Sequence, residues 1–242
     1  MPGLDWLTAR PVAHRGLHDR TIGIVENTAA AFSAAITAQY AIECDLQIAA
    51  DGEAMVFHDD TLDRLTERHG PLASLSASEL KKVALKASTD RIMTLGELCD
   101  LVAGRVTLVL EMKSRFDGDS RLAARVAEVV MGYAGPIAAM SFDPTVVGAL
   151  QAVAPGLPRG LVAQSAPDPG VRSGSRDRYV ANAFQARPHF LAWSVRELPG
   201  FWPLLGRWGF GLPLLTWTVR GEPDRLRAGR WADQMIFEGF RP

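Results

Sequence analysis

Short apolar runs rich in β-branched residues alternate along this chain with longer segments of helical period. Residues 11–16 form the first run, and in the segment 27–39 that follows, Phe32, Ala35, Ile36 and Gln39 fall on one helical face. The run 41–49 and its continuation 54–59 come next, and then a polar stretch to about residue 90 departs from the alternation. Helices are predicted within and after that stretch, at 76–83 and 95–102. The alternation resumes with a strand at 106–113, a helix at 120–132 that turns Leu122, Val126 and Val129 inward, a strand at 136–142 and a helix at 143–153. Four further apolar runs, 160–164, 190–195, 212–219 and 234–237, complete the set.

Counting 41–49 and 54–59 as one interrupted arm gives eight strands. Strands that alternate with helices are joined by right-handed crossovers and lie parallel. Eight such units in 242 residues predict an α/β fold, a closed (β/α)8 TIM barrel with a small insertion after the second strand. An open doubly wound sheet is the alternative. Residues 164–187, rich in Ser, Gly, Pro and Arg, carry no clear period and predict a loop with a weak helix rather than a domain boundary.

Composition removes several classes. With 48% hydrophobic and 22% charged residues the chain reads as globular, not disordered or fibrous. Its 26 basic residues are balanced by 27 acidic ones, so it lacks the positive field that drives general binding to nucleic acid or anionic membranes, while a small charged substrate stays open. Cys44 and Cys99 form neither a zinc-type spacing nor a disulfide framework, which points to a reducing setting. No basic-then-apolar leader opens the sequence and no apolar stretch approaches the ~18 residues of a bilayer span, so a cytoplasmic location is expected. Oligomeric state is not constrained.

The candidate chemistry sits at strand ends. Strict alternation over 42–48 puts Glu43, Asp45 and Gln47 on one face and the apolar residues with Cys44 on the other. In 106–113, Thr107, Val109, Glu111 and Lys113 share a side, so an acid and a base emerge together at the carboxyl end of an apolar strand. Charges on strands buried on both faces are costly unless they are paired or bind a metal, and the carboxyl end of a barrel is where active sites lie. Three acidic side chains suit a hard divalent cation such as magnesium or calcium better than zinc. A buried salt-bridge network of Glu43, Asp45, Glu111 and Lys113 is the competing reading. His14, followed by Arg15, and His58, followed by Asp59, close two further strands, and paired histidines near carboxylates favour acid/base work. As neighbours, His14 and Arg15 cannot share a strand face, so at least one lies beyond the strand end.

These residues fall in a familiar order: His14-Arg15-Gly16, Glu26-Asn27-Thr28, Glu43-Cys44-Asp45, Asp51-Gly52, His58-Asp59, then Leu62, Arg64 and Thr66, Leu95 and Leu98, Leu110-Glu111-Met112-Lys113, and Trp217-Thr218-Val219. As a set spread over most of the chain they resemble the glycerophosphodiester phosphodiesterase family. The resemblance implies one barrel domain over 1–242, with 59–93 as a small capping insertion. It implies that Glu43, Asp45 and Glu111 bind one divalent cation, Mg2+ or Ca2+, that His14 and His58 share acid/base duty, and that Arg15 and Lys113 hold the phosphate. Trp217 becomes a candidate wall for the glycerol end of the substrate, its other reading being a core side chain. Near the C-terminus the family often shows a G-x-x-T-D-x-P ending where this chain runs Met235-Ile236-Phe237-Glu238-Gly239-Phe240-Arg241-Pro242, so the role of Glu238 stays open.

The implied activity is metal-dependent hydrolysis of a small-molecule glycerophosphodiester to glycerol 3-phosphate and an alcohol. The alternatives are a lysophospholipase D-type reaction on lysophospholipids, suggested by the aromatic segment 201–210, and a non-catalytic phosphate-binding barrel, which gives no reason for the two histidines. For 201–210 itself an outer barrel helix burying its aromatics against the sheet is preferred over a membrane-surface contact. Arg172, Arg176, Arg178 and Arg187 are interleaved with Asp168 and Asp177 and read as a solvated loop. Cys44, facing away from its acidic neighbours, reads as packing. No nucleotide-binding, serine-hydrolase, zincin or dinucleotide motif is present.

Overall fold

The computed structural model describes residues 3–164 and 186–242. Its strands are β1 (Val12–Ala13), β2 (Ala41–Ile48), β3 (Ala54–Val56), β4 (Leu108–Met112), β5 (Ile137–Ser141), β6 (Arg159–Ala163), β7 (Phe190–Ser194), β8 (Leu214–Val219) and β9 (Gln234–Phe237). They form one sheet in the order β1-β9-β8-β7-β6-β5-β4-β2-β3, and a further β1–β2 pairing closes eight parallel strands into a barrel with helices between them. The run 54–59 does belong to the arm of 41–49: β3 hangs antiparallel on β2, with Leu46 opposite Val56.

Side-chain parity builds two layers. Outward residues of β2 and β4, such as Ile42, Cys44, Leu46, Leu108 and Leu110, pack with Phe32, Leu95, Leu98, Leu122 and Val126 of the surrounding helices. Inward residues, among them Val109, Met140, Val162, Phe190 and Leu215, fill the interior. The ring of Phe190 occupies the space beside Gly160, where a Cβ would lie 2.3 Å from a ring carbon. Among the described residues four α-helices are started by side-chain caps: Thr28 caps Ala29–Thr37, Asp143 caps Pro144–Val153, and Ser76 and Thr94 form capping boxes with Glu79 and Glu97. Between β3 and the helix Leu95–Val102 the insertion gathers its own apolar cluster, including Phe57, Leu62, Leu72, Leu80 and Ile92.

Three expectations change. The first strand is two residues long, not six, because Arg15 leaves extended geometry at φ +57°, so both His14 and Arg15 lie past its end. The helix expected at 76–83 shortens to Ala77–Leu80. The segment 201–210 does fold as a helix, Phe201–Leu204, running into a π-helical turn, Leu205–Gly209, yet Phe201, Trp202, Trp208 and Phe210 are exposed. Gly206 presses against the core there, a Cβ on it falling 2.3 Å from Leu191 Cδ1, so backbone occupies the space an inward aromatic ring would need. The loop expected over 164–187 and its arginines up to Arg178 fall on residues 165–185, outside the described residues. Among the described residues no helix is long and apolar enough to cross a membrane.

Candidate active site

At the carboxyl ends of the strands lies a cavity of about 1050 Å³ whose wall includes His14, Arg15, Glu43, His58, Glu111, Lys113 and Trp217. Asp45, fully buried, stands behind that wall between Lys113 and Arg15. The alternation seen in the sequence explains the assembly: Asp45 pairs with Glu111 across β2 and β4, and Glu43 lies two residues earlier on the same inward face. Gln47, next on that face, donates to the backbone carbonyl of His58 (3.0 Å) and so ties the second histidine to the same strand.

One carboxylate oxygen from each of Glu43, Asp45 and Glu111 lies within 4.8 Å of the others. Glu43 Oε1 and Asp45 Oδ1 are buried with no hydrogen-bond partner; Lys113 Nζ is 2.8 Å from the latter but off hydrogen-bonding alignment. Burial, reinforced by the charges of Asp45 and Glu111, pushes the Glu43 carboxyl well above the ordinary carboxylate range. Burial acts the same way on Asp45, but the neighbouring Lys113 and Arg15 charges outweigh it and hold that carboxyl well below the range. Orphaned, crowded carboxylate oxygens with no nitrogen or sulfur donor among them fit a hard divalent cation. The competing ion-pair reading is also partly realised, since Lys113 bridges Asp45 and Glu111.

Each histidine is backed by a carboxylate that an arginine holds in turn. His14 Nδ1 lies 2.5 Å from Glu238 Oε2, and Arg220 Nε donates to the other Glu238 oxygen at 2.6 Å. His58 Nδ1 lies 2.6 Å from Asp59 Oδ1, and Arg64 Nε donates to Asp59 Oδ2 at 2.6 Å. A carboxylate at Nδ1 fixes the proton there and leaves Nε2 as the nitrogen for exchange; His14 Nε2 lies 4.0 Å from Glu43 Oε2. Burial lowers the His14 pKa despite the opposing pull of Glu238.

The loop after β1 is held by residues whose roles the sequence did not assign. Glu26 accepts from Arg64 (2.7 and 2.9 Å) and from Arg15 (2.7 Å), and this anchors the Arg15 guanidinium with its Nε 3.2 Å from Asp45. Asn27 donates to Asp45 Oδ2 (2.8 Å), and its backbone N–H donates to the Arg15 carbonyl (2.9 Å). Arg15 and Asn27 both sit at φ +57°, a strained conformation for side-chain-bearing residues. Gly16, at φ +79°, completes the turn, and the Arg15 N–H donates to Glu43 Oε2 (2.9 Å). Membership in the quoted motifs was the only sequence signal of Glu26, Asn27 and Arg64; Asp59 was noted beside His58 and Glu238 was left open, and their placement behind the histidines became legible only in the fold.

A model described as the Glycerophosphoryl diester phosphodiesterase family matches residues 14–240. The glycerophosphodiester phosphodiesterase of Caldanaerobacter subterraneus is 36% identical over 111 residues, which is 43% of this chain and 44% of the relative. Glycerophosphodiester phosphodiesterase 1 of Rattus norvegicus is 31% identical over 117 residues, 44% of this chain and 34% of the relative. The matched stretches thus span less than half the length of these curated relatives. Among solved structures, an Oleispira antarctica phosphodiesterase in complex with the product sn-glycerol-3-phosphate is similar with TM-score 0.79 and 21% identity, covering 96% of this chain and 94% of that one. A glycerophosphodiester phosphodiesterase from Thermotoga maritima is similar with TM-score 0.73 and 24% identity, covering 94% of both chains. At these identities the structural likenesses speak for the barrel.

Proposed function

This chain belongs to the glycerophosphoryl diester phosphodiesterase family, and from that premise we propose that it hydrolyses glycerophosphodiesters to glycerol 3-phosphate and an alcohol. The observation that carries the reading is the pair of carboxylate-backed histidines, His14 and His58, sharing one cavity with the Glu43, Asp45 and Glu111 cluster. The barrel over 1–242 acts as one domain, with 59–93 as its cap, in a cytoplasmic enzyme of glycerol and lipid metabolism.

A phosphodiester carries one negative charge that repels nucleophiles, and charge builds on its oxygens as phosphorus becomes five-coordinate. Arg15 and Lys113, both kept firmly protonated by surrounding carboxylates despite their burial, meet that charge from the cavity wall. Glu43, Asp45 and Glu111 would hold one divalent cation, magnesium or calcium, which would supply further electrostatic stabilisation of the developing negative charge. One histidine takes a proton at Nε2 from the attacking hydroxyl, and the other protonates the departing alkoxide, which leaves poorly otherwise. The attacker is water, or the adjacent glycerol hydroxyl, whose cyclic phosphate product water then opens. Trp217 lines the glycerol end.

The test is release of glycerol 3-phosphate from glycerophosphocholine by metal-stripped protein, with magnesium or calcium added back and Glu43→Ala run in parallel. Metal-restored turnover that vanishes in the variant supports reaction and site together. A folded protein with no turnover under any metal overturns the reading. One observation favours a second substrate class: the exposed Phe201, Trp202, Trp208 and Phe210 suit contact with a lipid surface. A negligible rate on micellar lysophospholipid removes it.

A further inference from the structure

Away from the acidic cluster, the cavity wall is built by β6, β7 and β8. Strand register sets Ala163 beside Trp193 and Ser194 beside Trp217, so the next residue of the β6 segment, Gln164, stands level with Ser194 and Trp217. All three line the cavity. One layer deeper the same strands present Val162, Ala192 and Leu215, an apolar floor.

Two polar atoms in this arc are orphaned. Gln164 Nε2 and Trp217 Nε1 are buried without a hydrogen-bond partner, and Gln164 is only 7% exposed. Buried N–H groups are almost always satisfied in a folded protein, and one left unpaired is costly. On the acidic side the unpartnered atoms are two carboxylate oxygens, Glu43 Oε1 and Asp45 Oδ1, together with Arg15 Nε and His18 Nε2, each of which faces a carboxylate, Asp45 at 3.2 Å and Glu238 at 3.9 Å. In this arc they are N–H donors, which a hydrogen-bond acceptor such as a hydroxyl oxygen can answer. Among the described residues Gln164 and Trp217 differ from Arg15 and His18 in having no carboxylate opposite them, and so offer the cavity two free N–H donors.

We propose that Gln164, Ser194 and Trp217 form a hydroxyl-binding subsite for the glycerol moiety of the substrate, with Gln164 as its specificity-determining residue. The inference rests on the phosphodiesterase reading and deepens it. A hydroxyl both donates and accepts, and so does the Gln164 amide, whereas a quaternary ammonium group would meet two N–H donors and an alkyl chain would leave both unsatisfied. The Arg220 guanidinium on the same wall is engaged by Glu238, and although Arg196 and Glu197 also line the cavity, Gln164, Ser194 and Trp217 are themselves neutral, as suits a neutral polyol. Glycerol esterified at one end keeps two hydroxyls, matching the two orphaned donors.

Gln164→Leu keeps the side chain's bulk and removes its hydrogen bonds. Kinetics on glycerophosphocholine and on bis(p-nitrophenyl) phosphate, an aryl diester with no hydroxyl, separate recognition from chemistry. The expected result is a KM for glycerophosphocholine raised about five- to tenfold, the size of one neutral hydrogen bond, with kcat held and the aryl diester unaffected. Equal losses on both substrates, or none on either, overturn the subsite. Calorimetric binding of glycerol 3-phosphate against inorganic phosphate to the metal-loaded protein reads the same contact without turnover. There Gln164→Leu should lower the preference for glycerol 3-phosphate by the same factor, and an unchanged ratio overturns the proposal. Wild-type protein that binds with this preference but cleaves nothing would sink the phosphodiesterase reading and leave the subsite standing.

Discussion

Glu238 faces three cationic or proton-bearing side chains at once: His14 at 2.5 Å, Arg220 at 2.6 Å and His18 at 3.9 Å. Burial alone would raise its pKa, but the His14 and His18 contacts and the Arg220 charge hold it far below the ordinary value, so it stays a carboxylate behind the imidazole. Glu238→Gln should lower kcat about 10–100-fold, the usual loss when a residue that orients an active-site histidine is removed, with little change in KM, whereas His14→Ala or His58→Ala should cost about 10²–10⁴-fold. Steady-state kinetics on glycerophosphocholine check both, and a normal kcat in Glu238→Gln counts against its orienting role. Glu26 gives a second residue-scale outcome. Burial raises its pKa, yet Arg64 and Arg15 outweigh burial and bring it from 4.5 down to about 2. A depressed folded pKa stabilises above the unfolded value and loses that stabilisation as pH falls through the folded one. Glu26→Gln should therefore melt below wild type at neutral pH, the gap narrowing between about pH 4.5 and 2, as thermal scans across that range would show. The candidate site residues were legible because alternation and strand ends exposed them. The part Asp59 and Glu238 play was not, although both were named, since local turns and barrel closure are what bring them behind His58 and His14.

At the scale of elements, strands were read well because they are buried on both faces and so appear as unbroken apolar runs. Boundaries failed where a backbone torsion decides them, as at Arg15, because periodicity carries no sign of a positive φ. The aromatic segment failed for another reason: composition registers its rings but not that Gly206 holds the backbone against Leu191. Close approach also governs β6 and β7, where Gly160 and Phe190 are register partners. Gly160→Ala would place its Cβ against three ring atoms at 2.3–2.8 Å in a filled interior, and overpacking of this kind costs about 1–3 kcal/mol. Urea unfolding should show the midpoint lowered at constant slope; an unchanged midpoint would mean the ring has room to move.

For the molecule as a whole, closure depends on a strand of two residues, β1, which bonds β2 on one side and β9 on the other. The loop that carries His14 and Arg15 begins where this short strand ends, so the barrel's seam and the candidate site occupy the same place. Glu43, Asp45 and Glu111 bring three buried carboxylates together across β2 and β4, a crowding that a bound cation would relieve. Magnesium or calcium at about 100 times its dissociation constant should stabilise the fold by about 2.7 kcal/mol, roughly 5–10 °C in Tm for a chain of this size. Calorimetry with Glu43→Gln as control checks this, and an equal rise in the variant would place the cation elsewhere.

The parity of β2 has a consequence for how this sequence can vary. Its even positions, Ile42, Cys44 and Leu46, pack with the surrounding helices, while its odd positions turn to the candidate site, Glu43 and Gln47 on the cavity wall and Asp45 behind it. Two kinds of selection are thus written in alternate letters of one short word. The fold can be repacked through one set and the chemistry retuned through the other, each with little echo in its neighbour.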